Sequence, residues 1–245
     1  MKKLNAFART CLLLFLIMQA FPVISGTLVL NSGVDAPYFK ADKQGFLDLI
    51  IPEVFRRLGI QAEALQYRSA VERAMINANT GIDDGVAMRI KGLERDYPNL
   101  VRVEEKIFDN EFVAFATRPN VTPANFTALI HYQVGHIIGW KIFETKLLPE
   151  TSVTKVQGGE QLFSLLLNDR IDVALYERWQ GNDLLARLRI KAKMLKPPLA
   201  VSEVYIYLHK KHTHLVEPAA KAIRSMKEDG TYQRIIKQSL TSYGQ

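Results

Sequence analysis

The chain has 245 residues, of which 48% are hydrophobic and 23% charged, and its formal net charge is +7. A chain of this length buries a full core without disulfides or metals, as one large or two small domains. Basic residues are interspersed with acids and form no run interleaved with aromatic side chains. Nucleic-acid binding is therefore excluded as the expected function.

Residues 1–25 have the layout of a secretory signal peptide. Three basic residues precede the apolar run 11–20, and small residues suited to cleavage follow at Ser25 and Gly26. The run is well short of the roughly 20 residues that span a bilayer, so an uncleaved anchor is the weaker alternative. We expect a mature protein in the periplasm, with its formal charge lowered from +7 to +4 by the loss of three cations and no acids.

The only cysteine of the chain, Cys11, lies inside this predicted signal peptide. The mature protein is therefore expected to have no disulfide, no thiol nucleophile and no thiolate metal site.

Strand and helix patterns alternate in the first half of the chain. A turn-rich segment with Gly33 and Pro37 separates the first strand from the first helix. Ser69 and Glu72 form a capping box at the start of the second helix, which ends at Asn79. The predicted elements are strands over 27–31, 62–67 and 85–89 and a first helix over 47–58.

The same order returns in the second half, with strands over 134–138, 153–156 and 171–176 and helices over 141–148 and 159–168. Repetition of strand and helix in both halves predicts two α/β lobes, each with a parallel sheet.

Two further strands, over 111–117 and 201–208, are predicted to cross between the lobes, and helices over 217–227 and 231–240 to pack on the first lobe. Two crossings make a hinge with a central cleft, where small-molecule sites tend to lie. The predicted domains are a signal peptide (1–25), the first part of lobe 1 (26–114), lobe 2 (115–200), and the return strand and C-terminal helices of lobe 1 (201–245).

Several short motifs occur in a characteristic order: Ala-Pro-Tyr at 36–38, Gly-Ile-Asp-Asp-Gly at 81–85, Leu-Glu-Arg at 93–95, Asn-Asp-Arg-Ile-Asp-Val-Ala at 168–174, and Met-Lys-Glu-Asp-Gly-Thr-Tyr at 226–232. In this order they resemble the type II periplasmic solute-binding proteins of polar amino-acid uptake systems, over nearly all of the mature chain. The resemblance implies a monomer with two α/β lobes that captures a small solute, closes, and delivers it to a membrane permease.

The resemblance also implies that an arginine of the first lobe holds the carboxylate of the ligand, since a planar guanidinium offers two parallel donors. Arg95 matches the family motif by sequence. The segment has one extra residue, however, and Ala-Met-Arg at 87–89 replaces the usual hydroxyl residues, so Arg89 is an equal candidate. The alternative for either is a solvated arginine that pairs with Glu94 or Asp96.

In the second lobe, Gly139, Trp140 and Lys141 stand where the family begins a helix that binds an anion. Trp140 is a candidate to stack on the ligand or else a core residue. Glu177 occupies the position of the acid that holds the ligand amine, and Tyr38 is placed to pack on a ligand side chain or to be half-buried in its loop. These cationic and polar candidates favour a carboxylate-bearing ligand.

Other constellations are weaker. His209, His212 and His214 could share a metal, but the lysines between them disfavour a cation, so no metal and no cofactor is predicted. Asp35 and Glu177 could form an acid–base pair in a dehydratase-like enzyme, but their spacing gives that no support and no catalytic residue is predicted.

The sequence therefore predicts a non-enzymatic solute-binding protein of an ABC-type importer, whose partners are a small molecule and a membrane permease. The alternative is a sensor accessory of the same fold that signals to a receptor ectodomain.

Overall fold

The computed structural model describes residues 26–68 and 71–240. The predicted signal peptide and Ser69 of the predicted capping box lie outside these residues. The strands are β1 Leu28–Ser32, β2 Ala62–Gln66, β3 Gly85–Ile90, β4 Leu100–Arg102, β5 Phe108–Ala116, β6 Gln133–Ile137, β7 Ser152–Val156, β8 Val173–Glu177, β9 Lys193–Met194 and β10 Ala200–His209. The helices are α1 Phe46–Arg56, α2 Val71–Thr80, α3 Lys141–Lys146, α4 Gly159–Leu167, α5 Arg178–Arg187, α6 Val216–Glu228 and α7 Thr231–Ser239.

In the described part of the chain, ten strands form one sheet in the order β2-β1-β3-β10-β5-β8-β6-β7, with β4 beside β10 and β9 beside β5. The strands within each end of this sheet are parallel to one another. At one end β1 pairs with β2 and β3, and at the other β6 pairs with β7 and β8. Between them, β5 and β10 run antiparallel to each other and to their outer neighbours. The fold is therefore two α/β lobes joined through two shared strands, as predicted.

The core of the first lobe is assembled from both ends of the chain. The apolar face of α1 is fully buried, at Leu47, Ile50, Ile51 and Val54. The two C-terminal helices pack against α1 and bury a matching face in the same cluster. The predicted packing of the last helices on the first lobe is confirmed.

The second lobe buries both faces of its sheet. Phe163 and Leu166 of α4 pack on one face, and Phe143 of α3 packs on the other. Between them lies β8, whose five residues are all buried. Strands covered on both faces are typical of parallel α/β sheets.

Both predicted hinge strands are present. Phe108 at the start of β5 lies in the first-lobe core, whereas Phe115 near its end lies in the second-lobe core. The chain returns through β10, which pairs with β5 from Ala200 opposite Phe112 to Val204 opposite Phe108.

Some elements differ from the sequence prediction. The sequence indicated no helix after Glu177, yet α5 occupies Arg178–Arg187. Helix α3 ends at Lys146, two residues early, because Leu147 is extended. Within the described residues, no helix combines the length and the apolar character needed to cross a membrane.

Candidate functional site: a cavity between the lobes

A cavity of about 770 Å³ lies between the two lobes. Its first-lobe wall comes from the loop after β1 and from the end of β2, and its second-lobe wall from the start of α4, the end of β8 and one side of α5. Among the described residues it is lined by Asp35, Ala36, Phe39, Lys40, Ala41, Lys43, Gln66, Arg68, Gly159, Glu160, Tyr176, Gln180, Asp183, Leu184 and Arg187. Its position at the carboxyl ends of parallel strands is where open α/β sheets bind ligands.

The loop after β1 is fixed by a buried carboxylate. Asp48, in the first turn of α1, accepts hydrogen bonds from the backbone N–H groups of Lys40 at 2.9 Å and Gly45 at 3.1 Å. Gly45 is required there, because a Cβ atom would lie 2.5 Å from the carbonyl oxygen of Tyr38. The first-lobe wall of the cavity is therefore held in place by the helix beneath it.

Polar side chains from the end of β2 complete that wall. The amide nitrogen of Gln66 donates to Asp35 Oδ1 and to the backbone carbonyl of Val34, both at 3.0 Å. Arg68 Nε donates to the Gln66 side-chain oxygen at 3.2 Å, and Arg68 itself lines the cavity. This chain of contacts orients Asp35 and Arg68 together.

The second-lobe wall is built on α5. Asp183 is only 4% exposed, and burial raises the pKa of its carboxyl. Arg187, one turn later, lies 3.8 Å from Asp183 and makes a closer ion pair with Glu160, at 3.0 Å. Asp183 is thus a buried acid at the cavity wall that shares Arg187 with Glu160, and its carboxylate oxygens can accept a hydrogen bond from a ligand ammonium.

The two walls differ in charge. Among the described lining residues, the first-lobe wall carries Lys40, Lys43 and Arg68 against one acid, Asp35. The second-lobe wall has the reverse balance, with two acids against one cation. A molecule with an anionic end and a cationic end therefore matches the cavity in one orientation.

Tyr38 and Glu177, both predicted to touch the ligand, lie against each other, and their contact with a ligand stays a prediction. Tyr38 is 0% exposed and Glu177 is 1% exposed. Burial, together with the neighbouring Glu177 carboxylate, raises the pKa of the Tyr38 hydroxyl well above its usual range. The two side chains come from different lobes and form a contact beside the cavity rather than part of its lining.

Glu177 also caps a helix. Its carboxylate accepts hydrogen bonds from the backbone N–H groups of Trp179 at 3.0 Å and Gln180 at 2.9 Å, in the first turn of α5. Burial raises the pKa of Glu177 to about 7 against the opposing effect of these hydrogen bonds. The predicted role as the acid that holds a ligand amine stays a prediction, and Asp183 on the same helix is the acid that lines the cavity.

The two candidate arginines have opposite surroundings. Arg89 Nη2 is buried and meets no hydrogen-bond partner among the described residues, and burial lowers the pKa of its guanidinium. The side chain of Arg95 is 86% exposed and pairs with Asp96 at 3.1 Å, the solvated arrangement named as the alternative. Neither is in the cavity lining given above, so the arginine that faces the cavity from the first lobe is Arg68.

Trp140 is half-buried at the start of α3. Its ring stacks on the ring of Tyr176, with 4.8 Å between the ring centroids and a 10° interplanar angle. The ring of Phe143 is also nearly parallel to it, with 5.9 Å between the centroids. These contacts support the reading of Trp140 as a core residue that holds the cavity-lining Tyr176 in position.

In the histidine cluster, His212 contacts a carboxylate of the first lobe. His212 Nε2 lies 2.7 Å from Asp84 Oδ1, and Lys211 donates to the same carboxylate at 2.7 Å. Within the part of the chain that is described, no group of three or more histidine, cysteine or acidic side chains could hold a metal ion.

Sequence reasoning missed the cavity residues of α5, because it indicated no helix there. One signal was available: Glu177 precedes the helix as an acidic N-cap, and Asp183 and Arg187 lie four residues apart on one helix face. For the loop residues Lys40 and Lys43, no sequence pattern distinguished them from solvated lysines.

No protein-family model matches the chain. An uncharacterised protein of Shewanella oneidensis is 27% identical over 191 residues, which cover 73% of this chain and 72% of that protein.

Several solved structures share the fold of this chain. A mutant of ArgBP from T. maritima matches with a TM-score of 0.67 at 19% identity, covering 87% of this chain and 94% of that one. The GluR0 ligand-binding core from Nostoc punctiforme, in complex with L-glutamate, matches at 0.67 and 18%, covering 86% and 98%. The Bordetella pertussis BvgS VFT2 domain matches at 0.66 and 15%, covering 86% and 92%. The chain thus has the two-lobed fold of type II solute-binding proteins.

Proposed function

We propose that this protein captures a small dipolar solute with a carboxylate, amino-acid-like in its charges, between its two lobes in the periplasm. The observation that carries the proposal is the cavity whose two walls have opposite charge balance. The carboxylate of the solute would lie toward Arg68 and Lys43 of the first lobe, and its ammonium group toward Asp183 of the second.

The mechanism is a shift in population. A solute that touches both walls does so only when the lobes are together, so it stabilises the closed state by the difference between its affinities for the two states. The antiparallel pair β5 and β10 joins the lobes and serves as the hinge. Delivery of the solute to the permease of an ABC-type importer follows from the same closed state.

A sensor role is the second candidate. The similarity to the BvgS VFT2 domain favours it, whereas the similarity to the substrate binding protein of an amino acid ABC transporter, with a TM-score of 0.65 at 17% identity, favours the importer. Loss of solute uptake in a deletion strain would favour the importer. Binding of the closed protein to a receptor ectodomain, with uptake unchanged, would favour the sensor.

Thermal unfolding of the purified protein tests solute capture. After partial denaturation and dialysis to remove bound solute, amino acids, dicarboxylates, opines and small peptides are added one at a time. A solute at 100 times its Kd adds about 2.7 kcal/mol to the free energy of unfolding. At about 2–4 °C per kcal/mol for a chain of this size, the shift in Tm is several degrees.

Variants assign the shift to the cavity. Asp183→Asn and Arg68→Gln are expected to abolish most of it, while Arg95→Gln, at a solvated position outside the lining, keeps it. A library without a single stabilising compound would reject capture of solutes of this class. A shift that survives both cavity substitutions would place the solute elsewhere.

A further inference from the structure

The two lobes touch at a buried carboxyl group. Glu177 is the last residue of β8 in the second lobe. Tyr38 covers it from the first lobe, and Trp179 beside it packs against the first-lobe core. Because both covering groups involve the other lobe, Glu177 is buried only while the lobes are together.

Among the described residues, the hydrogen bonds to the Glu177 carboxylate come from neutral donors. In the described part of the chain, its carboxylate accepts hydrogen bonds from the backbone N–H groups of Trp179 and Gln180, and the Tyr38 hydroxyl lies beside it. Arg178, the next residue in the chain, donates to Glu111 of the hinge strand β5 at 3.0 Å. The ionisable groups on the elements around Glu177 are Tyr38 and Asp35 of the first-lobe loop, Tyr176 of β8, Glu111 of β5, and Arg178 and Asp183 of α5.

Burial of an uncompensated carboxylate disfavours its charged form. In the closed arrangement this raises the pKa of Glu177 to about 7. When the lobes separate, Tyr38 and the first-lobe core move away and the carboxyl meets water, where its pKa returns toward the usual range of glutamate, about 4.3. A group whose pKa is higher in the closed state binds a proton on closing, so closure is favoured below that pKa and loses the benefit as the pH rises through it.

We propose that closing of the lobes takes up a proton at Glu177, so that solute capture strengthens as the surroundings become acidic. The proposal rests on the proposed function only in taking closure as the capture step. With the two pKa values above, the ratio of closed to open molecules rises about tenfold between pH 8 and pH 6.

Closure is measured without any solute. Spin labels on Asp42→Cys of the first lobe and Lys155→Cys of the second, both exposed positions, report the distance between lobes by pulsed dipolar spectroscopy. Cys11, the one native cysteine, is replaced by serine where it is retained. We expect the closed fraction to rise as the pH is lowered from 8.5 to 5.5.

Three variants identify the group. Glu177→Gln resembles the protonated carboxyl and is expected to stay closed across this range, without pH dependence. Glu144→Gln is the control, because it makes the same change at another carboxyl of the second lobe. The Glu144 carboxyl accepts hydrogen bonds from the Gly139 N–H and from Lys141. This variant is expected to keep the wild-type pH profile. Tyr38→Phe removes a hydroxyl that holds the pKa of Glu177 down, so its profile moves to higher pH.

A distance between the lobes that is constant from pH 8.5 to 5.5 overturns the proposal, as does a pH dependence that survives in Glu177→Gln. If Glu177→Gln does not fold, the Tyr38→Phe profile decides: a midpoint that does not move overturns the proposal. Since no solute is present, these outcomes are independent of whether the thermal screen finds one. If closure depends on pH but the thermal screen finds no stabilising solute, the proposed function is rejected, while the coupling between protonation of Glu177 and closure is retained.

Discussion

Arg89, near the end of β3, has a buried guanidinium whose hydrogen-bond donors are not all paired among the described residues. Its Nη1 reaches only the backbone carbonyl of Met88, at 3.4 Å, and its Nη2 is buried without a partner among the described residues. A buried donor left unpaired costs the free energy of its lost hydration, about 1–3 kcal/mol and more for charged groups. A residue kept under this penalty is a candidate for contact with an anion.

Replacing Arg89 by methionine tests this at the level of stability. Arg89→Met is expected to raise the free energy of unfolding by about 1 kcal/mol, because methionine fills similar space and removes the unpaired donor. Chemical denaturation measures the change. Arg95→Met, at an exposed position, is the control and should stay within about 0.5 kcal/mol of the parent. A loss of stability in Arg89→Met would mean that the guanidinium is compensated in solution.

Two of the predicted site residues, Arg95 and Tyr38, lie outside the cavity lining for local reasons. The backbone turns at Gly92, whose φ of 94° is left-handed, so the short helical turn Leu93–Arg95 carries Arg95 outward. Tyr38 turns inward because Phe46 and Phe108 form an aromatic cluster that receives its ring at 6.3 and 5.8 Å. The sequence motifs identify these positions, but they do not contain the packing that decides which way each side chain points.

At the scale of elements, helices with a continuous apolar face were predictable and α5 was not. The apolar positions of α1 that recur at three- and four-residue steps are buried, namely Leu47, Ile50, Ile51, Val54 and Phe55. Helix α5 lacks such a face, since Gly181 takes a position that a larger residue would fill. A Cβ atom at Gly181 would lie 2.2 Å from the ring of Phe115, so close packing against β5 explains both the glycine and the missing pattern.

The start of α4 offers a test with two adjacent glycines. A Cβ atom at Gly159 would lie 2.5 Å from Leu184 Cδ1 and 2.8 Å from the hydroxyl oxygen of Tyr176, whereas one at Gly158 meets nothing within 4 Å. Gly159→Ser is therefore expected to lower the free energy of unfolding by about 1–3 kcal/mol and to weaken solute binding by displacing the cavity wall.

Gly158→Ser is the matched control. Gly158 has the extended backbone of an N-cap, with φ −156° and ψ 165°, and serine is a preferred N-cap residue. Its stability should therefore be unchanged or slightly raised in thermal unfolding. Equal losses from the two serines would show that the close contact at Gly159 does not limit the packing of α4.

At the scale of the whole molecule, the two lobes depend differently on the order of the chain. The second-lobe core draws on one continuous stretch between β5 and β10, whereas the first-lobe core needs Ala219, Ile223 and Met226 of α6 as well as β1–β3. The alternation of strands and helices predicted this arrangement, because it indicated both crossings. The predicted domain boundaries, 26–114, 115–200 and 201–245, stay predictions.

Truncation separates the lobes. A chain that ends at Leu215 lacks α6 and α7, which uncovers the apolar face of α1. Hydrogen exchange should then show loss of protection in β1–β3 and retained protection in β6–β8. A chain that ends at Leu240 keeps both helices and should behave as the full chain. Simultaneous loss of protection in both sheets would mean that the lobes form one cooperative unit.

The opposite charge balance of the cavity walls makes the approach of the lobes sensitive to dissolved salt. At physiological ionic strength the Debye length is about 8 Å, so the walls attract each other only when the gap between them is already narrow. More dilute surroundings extend that range, and concentrated salt shortens it. The resting protein would thus be more open in brine and more closed in fresh water.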